Sequence, residues 1–366
     1  VTTPDVVTVK LGGDSYAGWY EVEITAAVNH AARSFRIEAA LDASLAAFVP
    51  FAPLQIFGNS DLMFTGYIDE VEPMLEGKTA KVSISGRAKG QDIVDCSADH
   101  TKPDYVNKTP LDIAMDQDQF GIGFTADFVL DQIDRTRPNP GESAFSFLSD
   151  LCDEQDATMH GLPDGSIRMT QAGANPPRQA GALIEGVNIE KIQVHIGSSG
   201  KDKHGHHHPH HARHSHVHVH GQRYRDNGAQ ATQIYATAQD STVPRYRPHH
   251  HLHSRHTTRG HVQKKAQHKR EAEAGNGLRA TVTVPSWRDE TGALFMPGNK
   301  VFVDSPTVRL VQDMLIEEIS YKQSGEESQG ESCVLHLVDP RAHGGTASPG
   351  VNKSGSQWGM DTSMVQ

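Results

Sequence analysis

The stretch from residue 62 to residue 96 limits what this chain can fold into more than any other. It reads as two strands joined by a turn. Leu62, Phe64, Gly66 and Ile68 fall on one face, and Met63, Thr65, Tyr67 and Asp69 on the other, so both faces carry bulk. Glu76-Gly77-Lys78 has turn chemistry. Val82 and Ile84 then alternate with Ser83 and Ser85, the period-two pattern of a half-buried strand. Gly86-Arg87 ends the second strand, and Asp92-Ile93-Val94-Asp95 reads as a short helical turn with carboxylates near Arg87. The local structure this predicts is a β-hairpin at a barrel corner.

Strands are also predicted at 6–11, 20–26, 34–40 and 54–57, with Gly12-Gly13-Asp14 as a turn. Pro50-Phe51-Ala52-Pro53 marks an edge or a bend, because proline cannot donate to a ladder. The character changes after Lys102-Pro103. Thr109 is placed to cap a helix that has Pro110 at its first position. A second helix is predicted within 141–156, where Ala144, Phe147, Leu148 and Leu151 recur at helical spacing. A hairpin of 157–160 with 166–170 follows, turning at Pro163-Asp164-Gly165. Asn175-Pro176-Pro177 is a linker, and β-structure resumes over 182–194. Further on come a strand or loop pair at 230–238, a basic helix over 262–274 stopped by Gly275-Asn276-Gly277, and strands at 278–284, 301–303, 315–321 and 333–337.

Four places in the chain resemble the baseplate hub proteins of contractile-tailed, Mu-like bacteriophages. The first is Phe64-Thr65-Gly66-Tyr67-Ile68-Asp69 with Ser85-Gly86-Arg87-Ala88-Lys89 and Asp92-Ile93-Val94-Asp95-Cys96-Ser97. The second is Leu11-Gly12-Gly13, Tyr16-Ala17-Gly18-Trp19 and Ala32-Arg33-Ser34-Phe35. The third is Asp240-Ser241-Thr242-Val243-Pro244-Arg245-Tyr246-Arg247-Pro248. The fourth is Glu290-Thr291-Gly292-Ala293-Leu294-Phe295 with Pro297-Gly298-Asn299 and Val301–Val303. The resemblance implies a mainly β chain with a small α+β domain and two tube-like β-barrel domains. It divides the chain into a first barrel at 1–98, an α+β domain at 99–177, a second barrel at 178–343 and a flexible tail at 344–366. The second barrel would carry a His-rich insertion at about 197–220 and the basic helix at about 258–274.

At 366 residues there is room for two or three domains and a sizeable core. No run of eighteen apolar residues occurs, so no transmembrane helix is expected. Residues 1–5 have neither a basic nor an apolar leader character, so no secretory signal is read there. Cys96, Cys152 and Cys333 are few and far apart, which fits free thiols in a reducing cytoplasm. Charge is unevenly placed. Residues 201–270 hold thirteen Lys or Arg against three Asp or Glu, about +10, so the net charge of −11 leaves about −21 on the rest. An acidic body with a basic insert offers two electrostatic surfaces.

No catalytic set stands out. Asp116-Gln117-Asp118-Gln119-Phe120-Gly121 resembles half of a calcium loop, but Phe120 and Asp127 occupy positions that need other ligands. The Gly-Lys end at 200–201 lacks the first glycine of a phosphate loop, since His195 stands there. The basic helix, with Arg259, Lys264, Lys265, Lys269 and Arg270, has no interleaved aromatics, so an acidic protein suits it as well as nucleic acid.

Histidine is the sharp chemical feature. Ten fall within 197–220, and His249, His250, His251, His253 and His256 follow. His214, His216, His218 and His220 alternate with Ser215, Val217 and Val219, which on one strand puts four imidazoles on a shared face. These four are the candidate metal ligands, for Zn, Ni, Cu or Fe. The stretch 204–211, with Pro209 inside, reads as a flexible loop. Three readings stay open: a solvated loop with incidental metal affinity, a structural metal site, and a pH-sensitive channel lining.

The resemblance implies a structural, non-enzymatic virion protein: a homotrimer whose paired barrels give pseudo-six-fold symmetry between a six-fold tail tube and a three-fold central spike. Its partners would be the tail tube protein, the central spike protein, the C-terminus of the tape-measure protein and baseplate wedge or ring proteins. DNA would pass transiently, with no membrane insertion, and assembly would occur in the host cytoplasm. The alternatives are a His-rich metal-binding protein on a β scaffold and the hub of a genome-free, phage-derived injection system.

Overall fold

The computed structural model describes residues 4–41, 43–102, 104–171, 173–201, 207–222, 234–256, 259–325 and 330–345. It is 48% strand and 16% helix, mainly β as expected. The chain divides into two units. One holds Val1–Thr170, Thr283–Pro297 and Glu317–Leu335, and the other holds Gln171–Val282, Gly298–Ile316 and His336–Gln366.

In the first unit antiparallel strands run in the order Asp14–Tyr16, Val7–Leu11, Pro53–Gly58, Asp61–Glu76, Thr79–Ala88, Ser34–Ala40 and Glu21–Ala27, then onto residues 318–324. Alternation sets the buried face: Val9, Ile24, Ile37, Ile56, Phe64 and Ile84 are almost wholly enclosed. Each such burial stabilises by about 1.5–3 kcal/mol. Pro53 opens a strand that pairs on both sides, so the proline cluster is a bend, with Phe51 at φ +70°, and not an edge. Trp287 is enclosed against Tyr321 (rings 5.7 Å apart) and donates its indole N–H to the Lys322 and Ser332 carbonyls.

The hairpin at 61–88 forms as the sequence predicts, and Gly77 takes φ +61° in its two-residue link. A register shift between Ile68 and Glu70 leaves Asp69 outside the ladder. Arg87 Nε then donates to Asp69 at 2.8 Å, while its other nitrogens reach Asp95 at 3.2 and 2.7 Å. Asp95 is presented by the short helix α1 (Gln91–Asp95), so the expected carboxylate is there. The two strands approach closely because Gly66 and Gly86 have no side chain. A Cβ on Gly86 would stand 2.1 Å from the Tyr67 carbonyl oxygen, and one on Gly66 2.3 Å from that of Arg87.

Thr109 and Asp112 form a reciprocal capping box on α2 (Pro110–Gln117), as the Thr-Pro signal implies. Ser143 caps α3 (Ala144–Asp153), and Ala144, Phe147, Leu148 and Leu151 are buried together with Met159 and Met169 of the following hairpin. That hairpin, Thr158–Gly161 with Ile167–Thr170, turns at Gly165 (φ +85°). Two pairings escape sequence reading: Phe124–Ala126 lies parallel to Ile167–Thr170, and Tyr105–Lys108 pairs with Ile133–Thr136. These strands are too short to carry a period. Cys152 is buried and Cys96 is exposed, both as free thiols.

In the second unit Arg178–Ile184 lies parallel to Lys300–Ser305, which pairs antiparallel with residues 310–315. A separate three-stranded sheet has the order Ile234–Gln239, His216–Gln222, Pro248–His256, and α4 (Arg259–Asn276) packs on it. α4 ends at Asn276, within the predicted stop Gly275-Asn276-Gly277, and Gly275 is its penultimate residue. A Cβ there would be 2.3 Å from the Ala342 backbone nitrogen, so glycine serves close packing against Pro340–His343. His207–Ala212 is a strand paired with Ser199–Lys201, where a flexible loop was expected. Pro209 is tolerated because the ribbon has only two strands, both of them edges. Residues 204–206 of that expected loop, and the expected tail from 346, lie outside the described residues. Among the described residues no sheet closes, so the two expected barrels are not present as closed sheets.

Replacing Gly86 with alanine should lower stability by about 2 kcal/mol or more, since overpacking against immobile backbone costs about 1–3 kcal/mol. Urea unfolding measures this, and an unchanged midpoint would show that the approach is looser than 2.1 Å implies. A second expectation concerns His160, which is buried with its Nδ1 unpartnered. Burial, then the charges of Arg168 and Arg33, push its pKa down to about 4 from an ordinary 6.5. The folded state thus holds a neutral imidazole that the unfolded chain protonates more readily. Its contribution is complete above pH 6.5 and is lost as pH falls towards 4, a change of about 3 kcal/mol. His160→Met should therefore lose about 3 kcal/mol less than wild type between pH 7 and pH 4 in parallel unfolding titrations.

Candidate functional site

The Val-His alternation at 216–220 builds a sheet with two chemically different faces. Val217 and Val219 are fully enclosed and form a small core with Ala238, Val262 and Ala266. Val262 and Ala266 are one helical turn apart on α4, so a single stripe of the helix covers them. The opposite face carries His216, His218 and His220, half-buried. Parallel pairing with Pro248–His256 sets His250 beside His218. The rings stack, at 4.6 Å for His218 with His250, 5.4 Å for His220 with His250 and 6.1 Å for His216 with His218. His220 Nε2 lies 3.1 Å from His250 Nδ1, and His218 Nδ1 lies 2.8 Å from the Thr237 hydroxyl. Tyr246 packs edge-on to His216, and Tyr235 stacks on His220.

Such a ladder resists accumulating charge. Burial, then the neighbouring His250, His216 and His220, lower the pKa of His218.

His214 does not share that face, although the sequence reading set all four imidazoles together. The strand begins at His216, and a bend at Ser215 precedes it. The bend is held by the Ser215 and Arg247 backbones, 2.9 Å apart, and by Arg247 N–H donating to Ser215 Oγ at 2.7 Å. Arg213, just before, donates to Asp240 at 2.8 Å. The bend turns His214 to His249 and Glu273. His249 stands opposite Val217 in the register and so faces the helix. Glu273 comes from the last turns of α4 and is almost wholly enclosed. His250 and Glu273 are the participants that spacing missed, because they lie 30 and 59 residues from their partners. The only signal for His250 was its place in a second histidine run.

The half calcium loop is committed to protein donors. Asp118 accepts the Ile122 and Gly123 backbone N–H groups at 3.0 and 2.8 Å, and Asp116 accepts the Tyr105 hydroxyl at 2.7 Å. Lys264, Lys265, Lys269 and Arg270 all lie on α4, as predicted.

Two family models match this chain. "Mu phage baseplate assembly protein GpP-like, N-terminal" matches residues 6–88, and "Mu phage baseplate assembly protein GpP, fourth domain" matches residues 258–344. Baseplate hub protein gp44 of Escherichia phage Mu is 22% identical over 333 residues, which cover 86% of this chain and 83% of that one. Among solved structures, the 43 kDa tail protein of prophage MuSo2 from Shewanella oneidensis has a TM-score of 0.79 at 24% identity, covering 92% of this chain and 99% of its own. A tail protein from Neisseria meningitidis MC58 has a TM-score of 0.76 at 19% identity, covering 93% and 99%. The fold is thus that of these phage tail proteins. More narrowly, its two matched segments correspond to Mu-type baseplate assembly protein domains, and a baseplate hub protein of phage Mu is a relative over most of the chain. The first, second and fourth places of sequence resemblance fall largely within the two matched segments; the third, at 240–248, falls in neither.

In a histidine-resolved NMR titration, His218 should protonate below the ordinary imidazole value, and His250→Ala should move its midpoint upward. A His218 midpoint indifferent to His250 would remove the stacked ladder from the electrostatics.

Proposed function

We propose that this chain is the symmetry adaptor of a contractile tail, working by assembly and not by catalysis. In this reading it forms a homotrimer in which each chain offers two similar tube-like domains, so that three chains meet a six-fold tube on one side and a three-fold spike on the other. The domain division at 1–98, 99–177 and 178–343 belongs to the same proposal. Tail tube protein, central spike protein, tape-measure C-terminus and baseplate wedge or ring proteins are the partners it calls for. Assembly would take place in the host cytoplasm.

The observation that carries the reading is that a first-domain match and a fourth-domain match lie in order at 6–88 and 258–344, with a hub relative aligned over 86% of the chain. Charge is consistent with a conduit. A net charge of −11 opposes adhesion to phosphate backbones, so DNA could pass without being held. The half-buried imidazoles His216, His218 and His220 would then serve as a surface able to take transition metal weakly.

Light scattering coupled to size exclusion tests the adaptor. The expected mass is about 120 kDa, three times 39.9 kDa. A 39.9 kDa monomer at all concentrations, even with tube and spike proteins added, would end this reading.

A further inference from the structure

We propose that His214, His249 and Glu273 form a binding site for a divalent transition metal of the zinc class, distinct from the stacked histidine ladder. Three segments bring the ligands together: the bend before the histidine strand, the strand Pro248–His256 and the C-terminal turns of α4. One donor atom from each lies within 4.8 Å of the other two. Glu273 Oε1 is 2.8 Å from His249 Nδ1 and 3.1 Å from His214 Nδ1. In a tetrahedral zinc site, with metal–nitrogen bonds of about 2.0–2.1 Å, donor atoms sit about 3.3 Å apart, so only small adjustments are needed.

Two observations point to a cation and not merely to a hydrogen-bonded cluster. His214 Nδ1 is buried and has no hydrogen-bond partner, although it faces a carboxylate oxygen at 3.1 Å. A buried polar nitrogen in that state is costly unless something else engages it. Glu273 is a buried carboxylate, and among the described residues it makes no ion pair with lysine or arginine. Nearby Arg213 is committed to Asp240 and Thr242. A buried carboxylate needs compensation. A proton shared between Glu273 and His249 would explain the 2.8 Å contact but would leave His214 Nδ1 idle. A metal ion engages all three.

The surroundings suit such an ion. Glu273 Oε2 accepts the His214 backbone N–H at 3.1 Å, which fixes the carboxylate with Oε1 towards the imidazoles. Two neutral imidazoles and one carboxylate make a borderline set that favours Zn²⁺, Co²⁺, Ni²⁺ or Cu²⁺ over Ca²⁺ or Mg²⁺. A fourth position is left for water. Bound there, the ion would clip α4 to the sheet beneath it and close chain segments of 35 and 24 residues, as counted between ligands.

The test uses the full chain, stripped with a chelator and titrated with Co²⁺ alone. Wild type should give the intense visible absorption of tetrahedral cobalt, reversed by Zn²⁺, and a rise in Tm with either metal. Glu273→Gln and His249→Ala should each abolish the band and weaken binding more than about tenfold, the loss that even an outer-shell change produces. The triple variant H216A/H218A/H220A should keep both band and Tm shift. No tetrahedral band in wild type overturns the proposal, as does a band that survives His249→Ala and disappears in the triple variant. His249 is the less enclosed ligand, so its variant carries the test if Glu273→Gln does not fold.

Discussion

The first unit depends on a single buried guanidinium. Arg33 is enclosed at the link between the strands Glu21–Ala27 and Ser34–Ala40, and it donates to the carbonyls of Gly161 and Met63, each at 3.1 Å. Burial lowers its pKa, opposed by Tyr321 and Asp164. A buried cation held by carbonyl dipoles tolerates no slack, since each lost bond leaves charge in a poor dielectric. The backbone around it is correspondingly tight. Ala88 N–H donates to the Arg33 carbonyl at 2.8 Å, and Gly161 N–H donates to that of His30 at 2.9 Å. Side chains at Gly90 or Gly161 would strike the Ala31 carbonyl, at 2.2 and 2.4 Å. The hairpin at 61–88, the α1 turn and the hairpin Thr158–Gly161 with Ile167–Thr170 are thereby pinned to residues 30–33.

The second unit uses histidine for two opposite purposes. On one face imidazoles stack, and burial together with its neighbours lowers the pKa of His218. Under the helix, two imidazoles converge on an enclosed carboxylate. The same residue type thus forms a stacked row on one face and faces an enclosed carboxylate on the other, and it is the neighbours that differ.

The chain's local signals are reliable where they involve neighbours. The Thr109-Pro110 start, the core positions 144, 147, 148 and 151, and the hairpin at 61–88 all depend on contacts within a few residues, and all are legible. The family resemblance rests on the same segments, since glycines such as Gly66 and Gly86 record close backbone approach. Misreadings occur where a partner lies far away. Residues 207–212 resemble a loop but find an edge to pair with.

The site divides in the same way. The sequence alone determined that Val217 and Val219 would point inward and His216, His218 and His220 outward, because strand alternation is a property of the backbone. Only the tertiary structure decided that His214 leaves that row, that His250 joins it, and that Glu273 meets His214 and His249. The bend at Ser215 breaks the alternation by one step. The parallel pairing of His216–Gln222 with Pro248–His256, and the length of α4, bring together residues up to 59 positions apart. No local period encodes such a meeting. It follows from which strand pairs with which, and that choice is made by the whole fold.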